Sequence, residues 1–150
     1  MGKQILGVVG GLMVWLVAAL LAGVLLRSVW PEYVAASGDM SFTLPMKLTR
    51  LSIGALTTLA AGAATALLAR SRWTAVVTGA LLLVMFIPQH ISLWDKFPIW
   101  YHLTFLTSLV PLAVVGGRIA GSVLPDPLHL VGGAARAPHG HRRLHSEKPQ

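Results

Sequence analysis

Residues 51–69 read LSIGALTTLAAGAATALLA, a run of 19 residues without a charge. Three further apolar runs surround it, at 5–26, 74–91 and 98–117. A helix rises about 1.5 Å per residue, so ~20 residues cross the ~30 Å hydrocarbon core of a bilayer. The 150-residue chain is therefore predicted to be an all-α membrane protein. We expect a four-transmembrane-helix bundle with helices at about 5–27, 44–69, 73–91 and 98–119.

The composition favours the same class of protein. Hydrophobic residues make up 55% of the chain and charged residues 11%, and a soluble domain of this size cannot bury so much apolar surface. The chain has no cysteine, which excludes disulfides and thiolate metal sites. The net charge of +7 comes from residues that flank the apolar runs or follow residue 117. This distribution is typical of topology determinants, so we expect the lipid bilayer, and no nucleic acid, as partner.

Four crossings would place both chain ends on one side of the membrane. Lys and Arg are more frequent on that side, which holds Lys3, Arg70, Arg72, Arg118, Arg136, Arg142, Arg143 and Lys148. The other side holds Arg27, Lys47, Arg50 and Lys96. Because positively charged loops stay in the cytoplasm, we expect both termini to be cytoplasmic. The predicted location is the cell inner (plasma) membrane, with the chain as a multi-pass protein.

The first apolar run has some features of a signal peptide, with Lys3 before it and Val-Ala-Ala-Ser at 34–37 after it. A signal peptide has an apolar core of only about 7–15 residues, whereas this run spans 22. We therefore expect an uncleaved helix that ends near Pro31, because proline interrupts a helix. A loop is predicted from there to about Thr43.

The end of the chain differs in character from the rest. From about residue 122 it is rich in proline and glycine, and its last residues are basic and carry His139, His141 and His145. We therefore divide the chain into a transmembrane domain at 1–121 and a basic, His-containing cytoplasmic tail at 122–150, which we expect to be disordered. Its histidines predict adventitious metal contact rather than a metal site.

Small residues recur at helical spacing and predict where helices approach closely. In the second run these residues are Gly54, Thr58, Gly62 and Ala66. The first and last runs each contain a GxxxG pair, at Gly7 and Gly11 and at Gly117 and Gly121. We expect the second run to be the centre of the bundle. The GxxxG pairs predict packing within the chain, with a homodimer as the alternative.

Residues 88–102, PQHISLWDKFPIWYH, are the part of the chain richest in side chains that could carry chemistry. An antiparallel hairpin centred on residue 96 places His90 and His102 at equal depth on adjacent helices. Lys47 and Arg50 lie at the same level on the second helix. The candidate ligand-binding residues are Lys47, Arg50, Gln89, His90, Trp94, Asp95, Trp100, Tyr101 and His102.

Three hypotheses account for this polar group. The first is an interfacial belt, in which Trp and Tyr anchor at the headgroups and the polar residues hydrogen-bond there. The second is a site for a small molecule, a lipid or a quinone. The third is a metal or haem site with His90 and His102 as ligands, since equal depth suits paired axial ligation; Asp95 would complete a zinc site. No metal and no cofactor is expected, and haem is the alternative.

The sequence contains no Walker loop, GxSxG or HExxH pattern, and its apolar runs hold no carboxylate. We therefore expect a protein that is not an enzyme. The predicted role is that of an accessory or structural membrane protein, such as a subunit of a larger membrane complex. The alternative is a bundle that binds a small molecule, a quinone, a lipid or haem. A small transporter is the second alternative, disfavoured because transporters usually contain buried acids.

Two segments carry a resemblance to known proteins: Thr43-Leu44-Pro45-Met46 with Arg50-Leu51, and His90 through Trp94-Asp95-Lys96-Phe97-Pro98-Ile99-Trp100-Tyr101-His102. They resemble a group of small four-helix bacterial inner-membrane proteins that carry no assigned function. The resemblance covers most of residues 5–120. It implies the fold and a bacterial membrane location, and it transfers no catalytic role.

Overall fold

The computed structural model describes residues 2–123, apart from the side chains of Arg72 and Val123. The elements in chain order are α1 (Gly2–Val29), α2 (Pro31–Ala36), α3 (Leu44–Ala69), α4 (Arg72–Ser92), a 3-10 turn (Trp94–Lys96) and α5 (Ile99–Val123). Four of them, α1, α3, α4 and α5, are long and apolar enough to cross a membrane. This confirms the predicted all-α, four-helix membrane fold. The predicted disordered tail lies outside the described residues, except for its first two.

The short helix α2 replaces the first part of the predicted loop between the first two apolar runs. Pro31 occupies its first turn, where a missing N–H costs no helical hydrogen bond. The chain then turns through Asp39, whose carboxylate accepts hydrogen bonds from the hydroxyl and the backbone N–H of Ser41 at 2.6 and 3.1 Å. These bonds lower the pKa of Asp39, because they stabilise its charged form.

Helix α3 lies at the centre of the bundle and packs against α1, α4 and α5. Its small residues permit close approach, most clearly at Gly62, where a Cβ would overlap the backbone of Ala113 in α5. Gly116 of α5 is equally close to the backbone of Leu59. In lipid, such backbone proximity replaces the hydrophobic drive that water would supply. Gly54 faces the ring of Phe105 in the same α3–α5 interface.

The first GxxxG pair packs within the chain. A Cβ on Gly7 would meet Ala69 of α3, and a Cβ on Gly11 would meet Thr65. The remainder of α1 is largely exposed, with Leu26 as its other buried residue. Both glycines therefore pack against α3 as predicted, and the alternative, a homodimer through this pair, would have to displace that contact.

The second GxxxG pair is divided between two environments. Gly117 lies against Ala75 of α4 and Ala66 of α3, whereas Gly121 has open space around it and is exposed. Only one of the two glycines therefore contributes to helix packing within the described residues.

Interhelical hydrogen bonds add specificity to this packing. Thr65 of α3 and Thr78 of α4 share a buried bond of 3.0 Å between their hydroxyls. The indole N–H of Trp15 in α1 donates to the hydroxyl of Thr58 in α3 at 3.3 Å. Such bonds contribute about 0.6–2 kcal/mol each in membrane proteins and fix the rotational setting of each helix.

Two features at opposite ends of α3 organise its neighbours. At its C-terminus, Arg70 adopts the left-handed region (φ 52°) and its N–H caps the carbonyl of Ala66 at 2.9 Å. This reverses the chain, so that α3 and α4 run antiparallel.

At the N-terminus of α3 lies the end of the bundle that holds α2 and the 3-10 turn, which we call the rim end. There the buried cluster is largely aromatic and comprises Leu26, Tyr33, Phe42, Met46, Phe97 and Tyr101.

Candidate ligand-binding site

A cavity of about 380 Å³ extends from the rim end into the bundle. Its polar lining residues are Tyr33, Arg50, Thr57, Gln89, His90, Tyr101 and His102. Its apolar lining residues are Trp15, Ala19, Gly23, Leu26, Ile53, Gly54, Phe86, Leu93, Phe97 and Phe105. The volume lies within the range of about 300–1,000 Å³ typical of small-molecule sites. The mixture of apolar walls with a few convergent polar groups is also typical of such sites.

Arg50 is the charged residue of the cavity wall. Its Nη1 donates to the hydroxyl of Tyr33 at 2.7 Å, and its Nε donates to the hydroxyl of Tyr101 at 3.3 Å. The guanidinium carbon lies 4.8 Å from the ring centroid of Phe42 and 5.8 Å from that of Phe97. Within residues 2–123, no carboxylate is within ion-pair distance of this cation. Arg50 is therefore a half-buried positive charge whose partners are neutral.

Part of the donor capacity of Arg50 is unused. A guanidinium carries five N–H groups, and the two bonds to tyrosine account for one on Nε and one on Nη1. Nη2 makes no hydrogen bond to the described residues and is not buried. The two N–H groups of Nη2 and the second N–H group of Nη1 therefore remain available to the oxygens of a carboxylate or phosphate.

The α4–α5 hairpin brings the two rim histidines into direct contact. Their Nδ1 atoms are 2.8 Å apart, and the rings meet edge to face at 81° with centroids 5.0 Å apart. Both side chains are buried, His102 almost completely at 1% exposure. A hydrogen bond between two Nδ1 atoms requires one ring to donate and the other to accept.

Aromatic rings enclose the histidine pair. His90 stacks on Phe105, with centroids 4.8 Å apart, and lies nearly parallel to Tyr101 at 6.2 Å. Trp94 stacks on His102 at 4.9 Å. This enclosure leaves Nε2 of His102 buried without a hydrogen-bond partner among residues 2–123. An unsatisfied buried polar atom is uncommon and calls for an explanation.

The geometry of the pair fits a hydrogen bond better than metal ligation. With metal–imidazole bonds of about 2.0–2.1 Å, two nitrogens on a tetrahedral metal stand ~3.3 Å apart, and two axial ligands of one haem stand ~4 Å apart. The observed separation is 2.8 Å, and the edge-to-face rings do not lie on opposite sides of a common centre. Among the described residues, no group of three His, Asp or Glu side chains is placed to hold a metal ion. The residues of this pair, as arranged, do not fit paired axial ligation of haem.

The other predicted site residues divide between the cavity and the surface. Gln89 and Tyr101 line the cavity. Trp94 is half exposed and covers His102, and exposed Trp100 packs edge-on against Tyr101. Lys47 and Asp95 are not part of the cavity wall. The exposed tryptophans suit the interfacial-belt hypothesis, which does not account for the burial of the histidines and Tyr101.

Several cavity residues were not singled out by the sequence. Tyr33 falls in the predicted loop, and Trp15, Phe86 and Phe105 look like ordinary members of apolar runs. Phe86 links these rings, with centroids 5.0 Å from Trp15 and 5.1 Å from Phe105. The sequence carries one signal for Tyr33: it is one of only two tyrosines in the chain, and the other, Tyr101, is a predicted site residue.

No protein-family model, curated protein or solved structure matches this chain. The resemblance to small bacterial inner-membrane proteins therefore stays a prediction.

Proposed function

We propose that this membrane protein binds a small amphiphilic molecule in the rim-end cavity, with the molecule's head group at Arg50. The observation that carries the proposal is a half-buried guanidinium in a cavity wall whose partners among residues 2–123 are all neutral. Removing a charge from water costs several kcal/mol unless an opposite charge or hydrogen bonds compensate. A ligand group that accepts hydrogen bonds would complete that compensation.

The distribution of polar and apolar groups supports an amphiphile in one orientation. Arg50, His90 and the two tyrosine hydroxyls lie at the rim end. Toward the interior, the walls are formed by Trp15, Phe86 and other apolar side chains. Thr58, the hydrogen-bond partner of Trp15, follows Arg50 by eight residues along α3, a distance of ~12 Å. This depth accommodates an apolar chain beneath a head group at the rim.

Trp15 gives a direct measurement of occupancy. We expect bromine-labelled stearate, its methyl ester or a short-chain quinone, added to protein in phosphatidylcholine nanodiscs, to quench the fluorescence of Trp15. Subtracting the signal of a Trp15→Phe variant isolates this residue from the other four tryptophans. Mass spectrometry of the gently purified protein should also detect a bound amphiphile. Absence of Trp15-specific quenching by every probe would overturn the proposal.

The orientation proposed for the bundle places the cavity in the outer leaflet and both termini in the cytoplasm. The excess of Lys and Arg on the side of the termini supports it. We expect a reporter that works only in the cytoplasm to be active when it is fused after Gln150. A reporter that works only outside the cytoplasm should be active when it is inserted near Gly38. Activity in the reverse pattern would mean that the topology is inverted and that the cavity lies in the inner leaflet.

The binding function is compatible with the accessory role predicted from the sequence, because a ligand-binding subunit can serve a larger complex. That role, the absence of catalysis and the alternative of a small transporter remain predictions. The inner membrane as location also remains a proposal, supported by the four apolar helices and the charge distribution.

A further inference from the structure

The buried, unpartnered Nε2 of His102 constrains how protons are arranged in the histidine pair. With both rings neutral, each imidazole carries one N–H and one bare nitrogen. If His102 carried its proton on Nε2, a buried N–H would have no acceptor among the described residues. Among buried backbone groups, an N–H without an acceptor is rarer than an under-used acceptor, and the same preference is applied to the imidazole. The proton of His102 is therefore assigned to Nδ1, where it donates to Nδ1 of His90 across 2.8 Å.

This assignment determines the other ring. Because Nδ1 of His90 accepts, its own proton must lie on Nε2. Nε2 of His90 makes no hydrogen bond to the described residues and is not buried, and His90 lines the cavity. The pair therefore presents an N–H donor to the ligand, with His102 as the positioning residue that holds His90 in this tautomer.

Most of the polar groups near His90 present hydrogen-bond donors to the cavity. The hydroxyls of Tyr33 and Tyr101 each accept a bond from Arg50, which leaves their own hydrogens free to donate. Tyr101 connects the two parts of the wall, because its hydroxyl bonds to Arg50 and its ring lies nearly parallel to His90. With the remaining N–H groups of Arg50, these residues present donors and one positive charge, while Gln89 and Thr57 elsewhere in the wall can also accept hydrogen bonds.

From these observations we infer that the ligand is an anionic amphiphile whose head group carries two oxygens, a carboxylate or a phosphate on an acyl chain, held jointly by Arg50 and the Nε2–H of His90. This inference rests on the proposed binding function and narrows it to one class of head group. A neutral quinone or ester would fill the acceptor role and leave the charge of Arg50 uncompensated.

A comparison of head groups on one chain tests the charge requirement. Bromine-labelled stearate and its methyl ester share the chain and the acceptor carbonyl, and only the acid is anionic. We expect the acid to quench Trp15 with at least roughly tenfold higher affinity, since bonds between charged groups are the stronger ones. Comparing the affinity of the acid with that of an alkyl phosphate on the same chain shows which anionic head group binds more tightly. Equal affinity of the acid, the phosphate and the ester would overturn the inference and leave the proposed function intact.

Two variants of similar size test the role of His102. The amide of His102→Asn can still donate to Nδ1 of His90, whereas His102→Leu cannot. We expect the affinity for labelled stearate to fall by roughly tenfold in the leucine variant and by less than about threefold in the asparagine variant. Affinity for the methyl ester should change much less in both. Equal losses in the two variants would reduce His102 to a structural residue and overturn the tautomer assignment.

The wild-type protein provides a test that does not depend on the folding of a variant. Imidazole nitrogen chemical shifts distinguish protonated from bare nitrogens. We expect protonation on Nδ1 of His102 and on Nε2 of His90, and a shift of the His90 Nε2 signal when stearate binds. The opposite tautomers would contradict the inference. Failure of every amphiphile to reach Trp15 would instead overturn the proposed function itself.

Discussion

Replacing Arg50 with glutamine is expected to lower the affinity for labelled stearate by roughly a hundredfold, because it removes the charge and the two-nitrogen fork together. Glutamine retains a donor, so that the polar character of the wall persists while its charge is lost. The measurement is the quenching of Trp15, which lies on the apolar wall of the same cavity.

Lys47→Gln is the matched control for this experiment. Lys47 lies three residues before Arg50 on α3 and carries the same charge, but it is not part of the cavity wall. We expect its loss to change affinity by less than about twofold, since charges near the surface are screened. Arg50→Lys should retain part of the affinity, because an ammonium keeps the charge and lacks the planar fork. Equal losses in the Arg50→Gln and Lys47→Gln proteins would mean that the membrane-surface charge, and not the cavity, attracts the ligand.

The second large effect concerns stability. Gly62→Ala, the addition of one methyl group, is expected to destabilise the bundle by about 2 kcal/mol. The new Cβ would overlap the backbone of Ala113, which cannot move aside as a flexible side chain could. Helices α3 and α5 would have to separate, and the contact of Gly116 with Leu59 would be weakened with them. Denaturant unfolding in detergent, followed by helical circular dichroism, measures the change.

Gly121→Ala is the control for the same substitution in α5. A Cβ at Gly121 meets nothing within 4 Å, so the alanine should be neutral or stabilising by up to about 1 kcal/mol through its helix propensity. If both alanine variants unfold alike, close packing at Gly62 does not limit the stability of the bundle.

Apolar runs of about 20 residues made the four long helices predictable, because length and hydrophobicity alone decide that a segment can cross a bilayer. The small-residue spacing in residues 51–69 likewise indicated a central helix. Helix α2 was not predicted, because six residues carry too little periodicity to outweigh Pro31, Gly38 and Asp39. The sequence also does not identify the residue against which each glycine packs. Helix order and rotation depend on tertiary contacts such as that of Gly62 with Ala113.

The candidate site was predictable only in part. The symmetry of the hairpin indicated equal depth for His90 and His102, but not whether the rings would meet at a hydrogen-bond distance. The level of Arg50 in the membrane makes it a predicted site residue, whereas its tyrosine and phenylalanine partners come from segments distant in sequence. The cavity itself is a property of packing, because its walls combine residues from α1 to α5 and the turn after α4.

The neutral surroundings of Arg50 bear on the entropy of binding. Two hydrogen bonds and two aromatic faces already restrict the rotamers of its side chain before any ligand arrives. Ordering a long side chain at an interface otherwise costs about 0.5–1.5 kcal/mol. A ligand that meets Arg50 does not have to supply this ordering, so the guanidinium is preorganised and more of each contact's free energy remains for affinity.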